Sequence, residues 1–440
     1  MSRICRKELR KVTSVCRGSI AAVLGVLLLS PAICPAQPGL DDAPIRYPLT
    51  KGNNPVTDLF AKIDAGETQL QYEPGFGQLR SLLDELQIPI SSQSLVFSQT
   101  SLQSARISPA NPRAIYFNDD VYVGWVRGSS LLEISTADPL LGAAFYTVQM
   151  TPRRAITRRE NGRCLACHET YTPEGQVPIH TIRSVMTRPS GKINLLLDSY
   201  ITGHASPLSE RWGGWYVSGS SGESTHLGNS FLEGDKLVPH GTANRDDLTG
   251  DFETANWLTP HSDIVALMVL EHQTQMHNRF TQANFAVRRA IHATQSAESQ
   301  PDSAETAPTL ETTINQAAKL VVDYLLFVDE AKLESPVRGS NSFAIDFSRR
   351  GQRDSQGRSL RDFDLDHQLF RYPCSYLING SAFSSLEPAL LQRVYQQLHA
   401  ILMGQNQAPE YDHLSPQSRA DILSILRETK TDLPDYWSQS

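Results

Sequence analysis

The chain predicts an α+β fold: a β-rich N-terminal and central region over 37–258, followed by a mainly α-helical region over 259–440. Three observations carry that reading. Between residues 94 and 148, short runs of β-branched and aromatic residues alternate with turn formers. From Asp263 to Ala293 the chain runs without Gly or Pro. Apolar residues then recur at helical spacing over 313–330, and two further helical segments follow at 387–403 and 416–430. A mature chain of about 400 residues exceeds what one core usually holds, so two lobes or one large composite domain are expected.

Residues 1–17 hold Arg3, Arg6, Lys7, Arg10, Lys11 and Arg17 against the single acid Glu8, and an apolar run from Gly18 to Leu29 follows. That run is too short to span a bilayer but suits the apolar segment of an export signal. Pro31 breaks it, and the small Ala36 precedes Gln37. Residues 1–36 therefore read as a cleaved signal peptide and the mature protein as periplasmic or secreted; an uncleaved anchor is the alternative.

Strands are expected at Ser94–Phe97, Ala114–Phe117, Val121–Val126 and Ala143–Val148, with Asn118-Asp119-Asp120 as a tight hairpin between the second and third. Further strand-like runs are Ile193–Leu197 and Trp215–Ser218. Thr259-Pro260 offers an N-cap and a first helical residue for the long run that follows. The stretch 294–310, with Pro301 and Pro308, reads as a flexible segment. Helices are expected at Thr313–Glu330, at Glu387–Met403 closed by Gly404, and from Ser415-Pro416 onward; Arg338–Asp366 is polar and punctuated by Gly, and reads as a surface excursion.

Forty basic and 47 acidic residues leave a net charge of −7, with no polycation signature for nucleic acid. No second apolar run reaches membrane-spanning length, so no span is expected once the signal is removed.

Cys164-Leu165-Ala166-Cys167-His168 is the stretch that names a chemistry. Two cysteines separated by two residues, with a histidine directly after, read as a c-type haem attachment site. The thiols add across the haem vinyl groups, and the imidazole is then held close under the iron as proximal ligand. A redox dithiol would want a βαβ context and has no use for His168. Half a zinc site would want a second Cys/His pair, and the chain has no other CxxC. Loss of the signal removes Cys5, Cys16 and Cys34, and haem attachment uses two more. Cys374 is left over in an apolar stretch, where a buried inert thiol is expected and no internal disulfide is possible.

A haem that carries electrons usually has two protein ligands. Met268, His272 and Met276 recur every four residues on the long helix and so share one face, and His272 is the first choice for the distal position. Glu271 and Asn278 are candidates to orient imidazoles there. Core packing is the competing account of each. His277, His180, His204, His226, Met150 and Met186 are further candidates for the ligand. Arg153, Arg154, Arg158, Arg159, Arg163, Arg183 and Arg211 are candidates to pair with haem propionates, and Trp212 and Trp215 to cover a haem face.

The phrases Asn111-Pro112-Arg113-Ala114-Ile115-Tyr116-Phe117-Asn118-Asp119, Arg211-Trp212-Gly213-Gly214-Trp215-Tyr216-Val217, Val269 to Asn278 and Phe370 to Ile378 carry a resemblance. The chain resembles, over most of its mature length, an uncharacterised family of exported bacterial proteins described only as containing a cytochrome c domain. The resemblance implies haem c and export. The expectation is thus an exported monohaem c-type cytochrome that passes single electrons between redox partner proteins. The alternative is a peroxidase-like haem enzyme with an open axial site, suggested by a size no simple carrier needs and by ample His, Arg and Trp. A haem-based sensor, or a subunit docking to a larger oxidoreductase, is a third reading.

Overall fold

A computed structural model describes residues 37–234, 236–239, 244–299 and 308–438; the expected signal peptide lies outside the described residues. Helices α1 (Pro55–Ala65) and α2 (Leu79–Glu85) come first. Asn54 starts α1 by accepting the Thr57 N–H at 3.0 Å, and Gly66 ends it in the left-handed region, φ 74°.

Strands β1 (Ser94–Val96), β2 (Arg113–Phe117), β3 (Val121–Trp125), β4 (Leu131–Asp138), β5 (Gly142–Gln149) and β6 (Ile156–Arg159) form one six-stranded antiparallel sheet in chain order. Short connections dictate that order, and the turn at 118–120 is the expected hairpin: Asn118 Oδ1 accepts the N–H groups of Asp120 and Val121. The sheet separates two apolar cores. Ala114, Tyr116, Val123 and Trp125 pack with α1 and α2, whereas Ile115, Phe117 and Tyr122 pack towards the helices that follow. Along β2 the alternation is strict, as the pleat requires. Both faces are covered, so these strands read as continuous apolar runs.

Three two-stranded ladders follow: β7 (Glu169–Thr172) with β8 (Gly175–Pro178), β9 (Arg183–Val185) with β10 (Ser199–Ile201), and β11 (Ser230–Glu233) with β12 (Lys236–Pro239). The expected strand at Ile193–Leu197 is instead part of the loop joining β9 to β10. Asn194 turns the chain there by accepting the Leu196 N–H through its side chain, and Leu195 and Leu196 project into solvent. An apolar run without a pairing partner is not enough to make a strand.

Helix α3 (Ile264–Ser299) runs through the middle of the molecule and packs against α4 (Leu310–Leu325), β5 and β8. It starts after the expected Pro260, because Asp263 Oδ1 accepts the N–H groups of Val265 and Ala266 and is the real cap. It also continues past Ala293, so the first residues of the expected flexible segment are helical; 300–307 lie outside the described residues. The remaining helices are α5 (Phe343–Arg349), α6 (Ser381–Ser384), α7 (Pro388–Leu402) and α8 (Pro416–Thr429), the last capped by Ser415 with Pro416 at its first position as expected. The surface excursion expected at 338–366 is a correction: α5 buries Phe343 and Phe347 in the core. No helix among the described residues is long and apolar enough to cross a membrane.

One buried amide ties sheet to helices. Gln273 Nε2 donates to Asn118 O at 2.7 Å and to the Tyr122 hydroxyl at 2.9 Å, while its Oε1 accepts the Tyr376 hydroxyl at 2.5 Å. Replacing Gln273 by Leu takes a hydrogen bond from three polar groups, of which only Tyr122 keeps another partner, His277, and is expected to destabilise the protein by about 3 kcal/mol. The urea midpoint of the purified protein measures this; a change of only a few tenths of a kcal/mol would show that water replaces the amide there.

Candidate functional site

The segment Cys164–His168 is a single helical turn. His168 N donates to Cys164 O at 3.0 Å, and Ala166 N donates to Gly162 O at 3.2 Å. Positions i, i+3 and i+4 of such a turn lie on one side, so Cys164, Cys167 and His168 face the same way and line the same cavity. The spacing alone achieves this.

The hairpin β7–β8 then folds the chain back. Its register pairs Glu169 with Pro178 and Thr172 with Gly175, which brings Ile179 opposite His168. Ile179 N donates to His168 O at 2.8 Å, and the His168 ring places Nδ1 3.2 Å from Ile179 O. A carbonyl can only accept, so Nδ1 carries the proton and Nε2 keeps its lone pair. Burial holds the imidazole neutral, its pKa down at about 4. A neutral ring with one nitrogen anchored to a carbonyl and the other free is how metal-binding histidines are prepared.

The residue after Ile179 is His180, and it lines the same cavity. Its backbone is held from α3: Asn278 Oδ1 accepts the His180 N–H, and Asn278 Nδ2 donates to His180 O, both at 2.8 Å. Its ring lies between Tyr122 and Phe145, at centroid distances of 4.9 and 6.4 Å. Burial first, then His277 and His168, push its pKa well below the ordinary value. Its Nε2 is buried and has no hydrogen-bond partner. Buried polar nitrogens are rarely left so without a reason.

The cavity measures about 210 Å³ and is partly open to solvent. Its walls are Ile115, Tyr122, Ile134 and Phe145 from the sheet, Ile182, and Leu270 from α3. That largely apolar lining with a few polar groups suits an organic cofactor. At its edge stand two ion pairs, Arg113–Glu133 at 2.6 Å and Arg163–Glu160 at 2.9 Å. Gly124, inside strand β3, leaves the space that the Arg113 guanidinium fills; a Cβ there would push the guanidinium aside. Burial first, then Glu160 and Glu133, push the Cys164 thiol up to about 11. A redox dithiol needs the opposite shift. Among the described residues, no group of three or more His, Cys, Asp or Glu stands together as a cation site, so the zinc alternative finds no ligand set.

His272 is not brought to this cavity. Its ring is fully buried among the helices, stacked on Phe327 at 4.3 Å, and both its nitrogens are engaged. His204 Nε2 lies 3.2 Å from Val328 O and must donate; His204 Nδ1 is then an acceptor for His272 Nδ1–H at 3.0 Å. His272 Nε2 therefore accepts the Ser375 hydroxyl, 2.8 Å away, and no lone pair remains. His277 is set aside by position: its Nδ1 is 2.9 Å from the Tyr122 hydroxyl, its buried Nε2 has no partner, and it does not line the cavity. Met268 and Met276 are core residues, and neither lines the cavity. Glu271, expected to orient an imidazole, instead pairs with Arg211 at 3.1 Å, both buried. Of the candidate arginines, only Arg163 lines the cavity; Arg159 is spent on Tyr47 O and Thr50 O. Trp212 and Trp215 are buried away from it. Cys374 is fully buried, its thiol pushed up to about 12, as its apolar context implies. Arg113 and Glu133 were not singled out from sequence; a Gly inside an otherwise bulky strand was the available signal.

No family model, no curated protein and no solved structure matches this chain.

Proposed function

We propose that the protein is an exported c-type cytochrome carrying one covalently attached haem and passing single electrons between redox partner proteins. Cys164 and Cys167 are the tethers and His168 Nε2 the proximal ligand. His180 Nε2, rather than His272, would be the second imidazole nitrogen offered to the iron. The observation that supports this best is the cavity itself: two thiols and a prepared imidazole on one turn face an apolar space whose wall holds a buried, unpartnered imidazole nitrogen. A bound haem supplies a one-electron couple whose potential depends on its axial ligands and surroundings. The chain's part is to hold two neutral imidazoles, to keep the wall dry with Ile115, Ile134, Phe145 and Leu270, and to offer Arg163 and Arg113 to the propionates. The resemblance to exported cytochrome c domain proteins supports the same reading.

Haem should remain with the polypeptide after denaturation and extraction with acidified organic solvent. In a Cys164→Ala, Cys167→Ala double variant, retention should fall to nothing. Haem that leaves the native sequence under that extraction overturns the proposal.

A further inference from the structure

A second cavity, of about 260 Å³, shares no residue with the first and lies where the turn between β2 and β3 meets the segments after α5 and before α6. Its charged residues are Asp119, Asp120, Arg350 and Arg361. Arg361 is only 9% exposed. Its guanidinium is held against two rings, 4.6 Å from the Phe347 centroid and 4.3 Å from that of Tyr376, and it forms an ion pair with Asp119 Oδ2. Those contacts leave it little freedom.

The hydrogen bonds around this cavity do not close. Arg361 Nη1 is buried without a partner, and so are Oδ1 of Asp119 and Oδ1 of Asp120. Arg350 Nη1 is 3.8 Å from that Asp119 oxygen, which is beyond hydrogen-bond reach. Asp119 and Arg361 meet through one atom each, so what is left over is one oxygen of Asp119, one of Asp120 and one guanidinium nitrogen: the site is short of a donor for the two oxygens and an acceptor for the nitrogen. An inorganic anion would face both aspartates, and a neutral polyol would leave the charges unmet. A bare metal ion would find too few ligands among the described residues.

We propose that this cavity binds a small ammonium carboxylate, an α-amino acid, with its ammonium group on Asp119 and Asp120 and its carboxylate on Arg361 and Arg350. Asn379, Ser359 and Thr429 stand in the same wall, available to the ligand's side chain. The burial that pushes Asp120 up to about 6 is consistent with a carboxyl awaiting a counter-charge.

Titration calorimetry of the purified full chain against the protein amino acids, acetate alone and methylamine alone tests this. At least one amino acid should bind saturably with a dissociation constant of about 1 mM or tighter, with each half-molecule about 10-fold weaker or more. Asp120→Asn is isosteric and removes only the charge; with its melting temperature as a check on folding, it should weaken binding about 10-fold or more. Arg361→Gln should do the same. Absence of saturation by any amino acid means the cavity holds solvent only and overturns the proposal. So does binding of acetate or methylamine as tight as that of the amino acid, or binding unchanged in Asp120→Asn.

Discussion

Replacing His180 by alanine is expected to turn a low-spin ferric haem into a high-spin one and to let the ferrous iron take up carbon monoxide. The reason lies in which lone pairs are free. Among the buried histidines, His272 and His204 use both nitrogens within their own chain of hydrogen bonds, and His277 does not line the cavity. His180 Nε2 alone combines burial, a place in the cavity wall and the absence of a partner. Since Asn278 holds both backbone groups of His180, Asn278→Ala should give a partial form of the same result: a mixed-spin ferric spectrum and slow gas binding. The two variants separate two failures. A low-spin spectrum unchanged by His180→Ala removes His180 from the iron altogether. An opened iron in His180→Ala with an unchanged Asn278→Ala confines Asn278 to structure. A native protein that is already high-spin and binds gas would favour the peroxidase-like alternative, with His180 as an acid–base group above the iron.

What the sequence revealed and what it concealed divide along physical lines. The side-by-side placing of Cys164, Cys167 and His168 was legible because its geometry is local: one helical turn fixes their relation whatever surrounds it. Strands β2, β3 and β5 were legible because β-branched and aromatic residues were bounded by turn formers. Strand β4 was missed because Glu133, Ser135 and Thr136 dilute its pattern, although Leu132 and Ile134 keep the alternation. That His272 would lie apart from this cavity was not legible, for a different reason. A helical face with Met268, His272 and Met276 announces itself by periodicity, but periodicity does not say what the face meets, and here it meets other helices. His180 carries no periodic signal. Its position follows from a hairpin of two four-residue strands closed at Pro173-Glu174, a register that returns the chain to where it left His168. Counting residues across that turn would have placed Ile179 opposite His168. Preferring His272 overlooked it.

His272→Ala is expected to leave the haem spectrum as it is and to destabilise the fold by about 3–4 kcal/mol, read as a lowered urea midpoint. Two terms make up that figure. The ring is fully buried and stacks nearly parallel on Phe327, with planes 11° apart, so truncation opens a space among packed aromatics. It also strands two buried partners, His204 Nδ1 and the Ser375 hydroxyl, each left without its hydrogen bond. His272→Asn keeps one polar contact with less volume and should fall between the native protein and the alanine variant. His204→Ala should cost a similar amount, and the double variant should cost less than the sum, because the second removal no longer strands the first partner. A high-spin spectrum in His272→Ala at full folded yield would return this histidine to the iron and require the helix to turn its face toward the haem cavity. Burial makes that turn unfavourable: Leu267, Met268, Leu270 and Met276 are all buried beside it, and rotating them out would expose their apolar surface to water.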